Sequence, residues 1–72
     1  MAFDYRRLRG RIVEKYGCQR NFADAFPISE RSLSLKLNSA VFFKQPEINR
    51  ACEMLDISTD EIPSYFFVPK VQ

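Results

Sequence analysis

Apolar residues first recur with helical spacing at Tyr5, Leu8, Ile12, Val13 and Tyr16, one stripe of an amphipathic helix. The stripe predicts a helix over 4–16, with Asp4 as its N-cap and Gly17 just past its end. The arginines here fall mainly off the stripe. Arg9, near its border, is expected to lay its stem along the core and keep its head in water. A second, short helix is expected over 19–26, where Phe22, Ala23 and Phe26 share a face. Pro27 stops it, because proline has no N–H to donate and restricts the residue before it. Ile28 follows, and Ser29 is the expected N-cap of a third helix over 29–38. Leu33 and Leu37 then point inward and leave Glu30, Arg31, Ser34 and Lys36 outside, with Asn38-Ser39 as a left-handed exit.

The stretch 40–44, with Val41, Phe42 and Phe43 adjacent, is too apolar for an idle loop. A fourth helix over 46–55 opens on Pro46, a residue favoured in the first helical turn. Its Ile48, Ala51, Cys52 and Leu55 share one face, so Cys52 reads as a core thiol. Ser58-Thr59-Asp60-Glu61 is a capping box that opens a last turn over 58–62, which Pro63 ends. The tail over 63–72 contains the apolar, β-prone Tyr65-Phe66-Phe67-Val68-Pro69. It either folds back over the first helix or forms a dimer contact or an added strand. No repeat, low-complexity tract or Gly/Ser linker divides the chain. The pattern is that of one all-α domain over 1–72, a compact five-helix bundle whose last helix is vestigial and whose C-terminal tail is short and apolar.

Composition narrows the chemistry. The 72 residues are 46% hydrophobic and 14% aromatic, enough for a core and too much for disorder. With no histidine and two cysteines, Cys18 and Cys52, a zinc site of ordinary ligand count cannot be assembled. Without a signal peptide ahead of them, both thiols are expected to be reduced and buried, in a cytosolic protein. No apolar run is long enough to cross a bilayer. General acid–base chemistry would need a strongly shifted carboxylate or lysine in a chain with little room to bury one, so no enzyme, cofactor, metal or small-molecule substrate is expected.

The net charge of +2 conceals an asymmetry. Residues 1–20 carry Arg6, Arg7, Arg9, Arg11, Lys15 and Arg20 against Asp4 and Glu14, while the remainder carries five basic and seven acidic side chains. A polyanion and an acidic protein surface are both candidate partners.

Two short helices joined by a tight turn, with small Ala23 at their crossing and Ile28 plugging the turn, fit a helix-turn-helix. Leu33 would anchor the third helix so that its opposite face protrudes, the arrangement that enters a major groove. The stretch Gln19-Arg20-Asn21-Phe22-Ala23-Asp24 with Ile28-Ser29-Glu30-Arg31-Ser32-Leu33-Ser34 resembles the DNA-binding domains of lambda-repressor and Cro-type regulators over roughly residues 4–57. The short chain and its aromatic end look more like small temperate-phage switch proteins of Gram-positive hosts, Cro-like repressors and modulators of repression among them. The resemblance implies a backbone phosphate contact at Gln19, base reading at Ser29, Glu30 and Arg31, and further contacts from Ser34 and Leu35 one turn along the same face. In such a site Arg31 would grip a guanine edge, Glu30 would accept from a cytosine amino group, and Leu35 would meet a thymine methyl. Arg20, Lys36, Asn38 and Lys44 complete the candidate face, Arg20 and the two lysines as phosphate contacts. Two departures stand out: Pro27 where the family usually has a left-handed glycine, and Leu37 before Asn38-Ser39 where relatives can pair a glutamate with the first helix.

Plainer readings compete at each position. Glu30 and Arg31 also suit a solvated first turn, and the arginines of the first helix a solvated face. One of Phe42 and Phe43 is expected in the core, with the other free, along with Tyr65, Phe66 and Phe67, to form a protein interface. Two functions follow. One is a regulator of a phage-type lysis–lysogeny switch that binds operator DNA, alone or with a repressor, as a possible homodimer. The other is an antirepressor or modulator that binds the repressor protein and masks or redirects its DNA binding. A helical scaffold or toxin-neutralising module is the bland third.

Overall fold

The computed structural model describes residues 3–69. Its elements run α1 (Arg6–Tyr16), α2 (Gln19–Ala25), α3 (Glu30–Leu37), α4 (Gln45–Leu55), a 3-10 turn (Thr59–Glu61) and α5 (Ile62–Phe66). The first four expected helices are present, but the expected last helix over 58–62 is mainly a 3-10 turn and α5 falls largely in the expected tail. The described residues contain no strand beyond an isolated antiparallel bridge between Phe3 and Pro69.

Each helix buries the stripe that its sequence period marks. Leu8 and Ile12 of α1, Phe22 and Ala23 of α2, Leu33 and Leu37 of α3, and Ile48, Ala51, Cys52 and Leu55 of α4 meet in one core. Burying a side chain of Leu or Phe size contributes about 1.5–3 kcal/mol before entropy is set against it, so this cluster supplies most of the driving force. Val13 departs from the expectation: it is half exposed, because α1 shows the core a narrower face than the stripe implied.

Local chemistry sets the helix ends. Asp4 lies one residue outside the cap itself: Tyr5 is the N-cap of α1, and the Asp4 carboxylate accepts from the Arg6 N–H at 2.9 Å. Gly17 closes α1 at φ 86°, a conformation that a Cβ would strain. Phe26 stays right-handed after α2, and the Phe26–Pro27 peptide is cis. Ile28 N–H donates to the Ala23 carbonyl at 2.9 Å, closing the turn without the left-handed residue that Pro27 could not have supplied. The Ser29 hydroxyl caps α3 by accepting from the Ser32 N–H at 3.1 Å. The left-handed exit falls on Ser39 at φ 62° rather than on Asn38.

The C-terminal segment differs most from its sequence pattern. Pro63 sits in the first turn of α5 and starts a helix instead of ending one, since its missing N–H would have been unpaired there anyway. α5 carries Tyr65 and Phe66 into the core, 7% and 1% exposed. Beyond it, Asp4 N–H donates to the Val68 carbonyl at 2.7 Å, and the Ser39 hydroxyl bonds both the N–H and the carbonyl of Phe3. Residues 70–72 of the expected tail lie outside the described residues. An aromatic series ties the two ends to the middle: Phe67 on Phe3, Phe3 on Tyr5, Tyr5 on Phe43 and Phe43 on Phe66, all edge to face at 5.3–6.3 Å. Tyr65 and Phe66 are thus core residues and half-buried Phe43 packs against the core, leaving Phe42 and Phe67 exposed at 62% and 46%.

The two cysteines part company. Cys52 is buried as expected, and burial pushes its thiol pKa up, whereas Cys18 is exposed at the start of α2.

Phe66→Ala is expected to cost about 3–5 kcal/mol in a denaturant titration, the loss of a large core side chain; a cost below about 1 kcal/mol would show that the segment is peripheral. A thiol reagent in native buffer should modify Cys18 at once and Cys52 only after denaturant is added. Simultaneous modification of both would contradict the burial of Cys52.

Candidate functional site

The α2–α3 unit stands out because its outer face is polar, protruding and free of the rest of the fold. Phe22 and Ala23 hold α2 to the core, and Leu33 and Leu37 hold α3, so the residues between them are turned away. Arg20, Asp24, Ser29, Glu30 and Arg31 are exposed on it, Gln19 and Ser34 are half-buried, and Leu35 is 40% exposed. The Ser29 hydroxyl is already engaged, accepting from Ser32 N–H and donating to Ser32 Oγ at 2.9 Å. Glu30 lies in the first turn of α3, where the helix dipole favours a carboxylate.

Two candidate residues are elsewhere. Lys36, expected outside as a phosphate contact, is 7% exposed. Its ammonium lies 3.1 Å from Glu47 Oε1, donates to the Phe42 carbonyl at 3.4 Å, and sits 5.9 Å from the centroid of the Phe43 ring. A buried ammonium must be paired, and the partner is one turn into α4, too distant in sequence for a helical period to reveal. Asn38 turns away from the face: its side-chain oxygen accepts from Arg9 Nη2, which also donates to the Leu37 carbonyl at 3.1 Å. Asn38 and Arg9 instead help line a cleft of about 300 Å³ beside Phe3, Tyr5 and Arg6. The Arg9 head, expected in water, is therefore bound to the end of α3.

Three other cations of α1 are also engaged, whereas the Arg6 side chain is 90% exposed. Arg11 Nε donates to the Leu55 carbonyl at 2.8 Å and Nη2 to the Asp56 carbonyl at 3.3 Å, with Glu14 2.8 Å from Nη1. Lys15 pairs with Asp56 at 2.9 Å, and this contact, with the charge of Arg11, holds the Asp56 carboxyl below its ordinary range. Arg7 lies over the Tyr65 ring, 4.6 Å from its centroid. Arg9 and Arg11 are thus turned onto helix ends, while Arg6, Arg7 and Lys15 keep exposed side chains.

Glu47 is the electrostatic hub beside the face. Burial alone would raise its pKa, but the Lys44 N–H donating at 2.8 Å together with the Lys36 ammonium holds it below the ordinary 4.5. Leu35, Val41 and Phe42 are exposed at 40%, 45% and 62%, and the Val41 N–H donates to the Leu35 carbonyl at 3.3 Å. The sequence named Leu35 and Phe42 as candidate site residues and marked Val41 only as part of the apolar stretch 40–44. Among the described residues no three His, Cys, Asp or Glu side chains gather where a metal could sit, and no helix is long and apolar enough to cross a membrane.

A carboxylate held below its unfolded pKa stabilises the fold above the ordinary carboxylate range, and that stability is lost as pH falls through the folded-state pKa. Acid titration of wild type should accordingly show stability dropping below about pH 4.5, and Glu47→Gln should flatten part of that drop. Parallel curves for the two proteins would place the acid sensitivity elsewhere.

Comparison with known proteins returns no curated relative. A family model described as "Protein of unknown function (DUF739)" matches residues 1–69. Among solved structures, the solution structure of the modulator of repression of the temperate bacteriophage TP901-1 from Lactococcus lactis is similar. It is 49% identical, the alignment covers 100% of this chain and 97% of that one, and the TM-score is 0.83. Of the resemblances drawn from the sequence, the one to phage modulators of repression is the one these matches bear out. With the family model spanning nearly the whole chain and a full-length relative of the same fold, this protein belongs to the DUF739 family and is a homologue of a phage modulator of repression.

Proposed function

We propose that this protein regulates a phage-type lysis–lysogeny switch in the host cytoplasm by binding a repressor protein, and that it does so with the exposed face of α2 and α3. Such binding masks the repressor's DNA surface or redirects its choice of operator. It is a binding function, without catalysis, cofactor or metal. The observation that carries the reading is the withdrawal of Lys36 into an ion pair. The face is left with Arg20, Arg31 and Lys44 against Asp24 and Glu30, beside exposed Leu35. Phosphate neutralisation supplies most non-specific DNA affinity, and a near-balanced face provides little of it. Mixed charge around apolar surface suits a protein partner better. The homologue's role as a modulator of repression supports the same choice.

Direct operator reading is the second possibility, favoured by one feature: Arg31 is exposed in the first turn of α3, the position from which a side chain reaches base edges. A fluorescence titration separates the two. The isolated protein should leave labelled operator DNA unshifted at physiological salt, and should bind the purified cognate repressor. Arg31→Ala or Glu30→Lys should weaken repressor binding, by about 1–3 kcal/mol if the side chain is a central contact. Specific DNA binding by the protein alone, falling with salt and relaxed in sequence preference by Arg31→Ala, would replace this reading with the operator-binding one.

A further inference from the structure

The segment between α3 and α4 is short and apolar at its surface, yet it is braced by an ion pair between buried Lys36 and half-buried Glu47. The Lys36 side chain is 9% exposed and that of Glu47 24%, and together they join the last turn of α3 to the first turn of α4. Both also hold the backbone between them: the Lys36 ammonium donates to the Phe42 carbonyl, and Glu47 Oε1 accepts from the Lys44 N–H. Ala40 and Val41 N–H groups donate to the Leu35 carbonyl at 2.9 and 3.3 Å, folding the segment back on the α3 end. Phe43 goes inward onto Tyr5 and Phe66, and its neighbours Val41 and Phe42 are left outside. Holding Lys36 at 7% exposure carries a desolvation cost that merely connecting two helices would not require.

We infer that the Lys36–Glu47 pair is a strut that displays Leu35, Val41 and Phe42 as the apolar anchor of the repressor-binding surface, with Lys36 and Glu47 as positioning residues that do not themselves touch the partner. The inference rests on the repressor-binding reading and adds to it the site of tightest contact. Continuity with the α3 face identifies the occupant. Leu35 lies one helical turn from Arg31, its carbonyl is bonded to the loop, and Arg31 and Lys44 flank these residues in the chain. An aromatic anchor within a polar, charged border is the anatomy of a protein interface and not of a phosphate-binding groove.

The test measures binding of the purified cognate repressor by calorimetry, with thermal unfolding of each variant followed in parallel. Phe42→Ala removes a side chain that the core does not use and should weaken repressor binding about ten-fold or more with unfolding unchanged. The double variant Lys36→Met with Glu47→Leu also removes the acceptor of the Lys44 N–H, so it should unfold at a somewhat lower temperature yet stay folded in the assay, and bind the repressor about as weakly as Phe42→Ala. Combining all three substitutions should cost little beyond either, because strut and anchor act as one unit. Wild-type affinity in Phe42→Ala overturns the inference, as does a fully additive loss in the triple variant. A shift of Phe42→Ala from dimer to monomer with repressor binding intact also overturns it and assigns these residues to contact between copies. Failure of the wild-type protein to bind the repressor overturns the function proposed above, and this inference with it.

Discussion

The structure depends on how the carbonyl ends of its short helices are satisfied. Helices of 7–11 residues leave a large share of their carbonyls without intrahelical partners, and a small core cannot bury such ends unpaired. α1 meets the need from one side. Arg9 donates to the last turn of α3, Arg11 to the last turn of α4 and the residue after it, and Lys15 pairs with the carboxylate there. Each cation also sits where the helix dipole favours positive charge. The arginine-rich first helix is thus an internal bracket, and its removal would release two helix ends at once.

That bracket changes the meaning of the charge asymmetry. Read from the sequence, six basic side chains in 20 residues suggest a polyanion or an acidic protein as partner. In the fold, Arg9, Arg11 and Lys15 are tied to backbone or carboxylate, Arg7 lies on an aromatic ring and Lys36 is buried. The charge that reaches the α2–α3 face is small and mixed. Counting side chains overstates the field that a partner meets, because a guanidinium bonded to a carbonyl end is already partly neutralised by it.

Much of this architecture was legible in the residues. The apolar periods located α1 to α4, Ser29 announced its cap, and Leu33 and Leu37 pointed inward as spaced. What was missed follows from contacts that local patterns do not encode. Pro63 has two opposite uses, stopping one helix and opening another, and the choice is made by the burial of Tyr65 and Phe66 against distant helices. Lys36 and Asn38 look like exposed face residues because a helical period cannot show that Glu47 and Arg9 are waiting for them. On the candidate face itself, Glu30 and Arg31 were correctly placed outside; what they recognise is a property of the partner, which no pattern within this chain contains.

The bridge between Phe3 and Pro69 brings both ends of the described chain to one corner, next to Ser39 and the exit of α3. Anything fused to either end therefore departs from the same place, within reach of the loop that carries Phe42. A bulky affinity handle at either end would crowd that loop, so moving it from one end to the other gives no independent control. Binding assays on this protein call for a long spacer or a cleaved handle. Exposed Cys18 offers no better tether, since it caps α2 beside Gln19 and Arg20 of the proposed face.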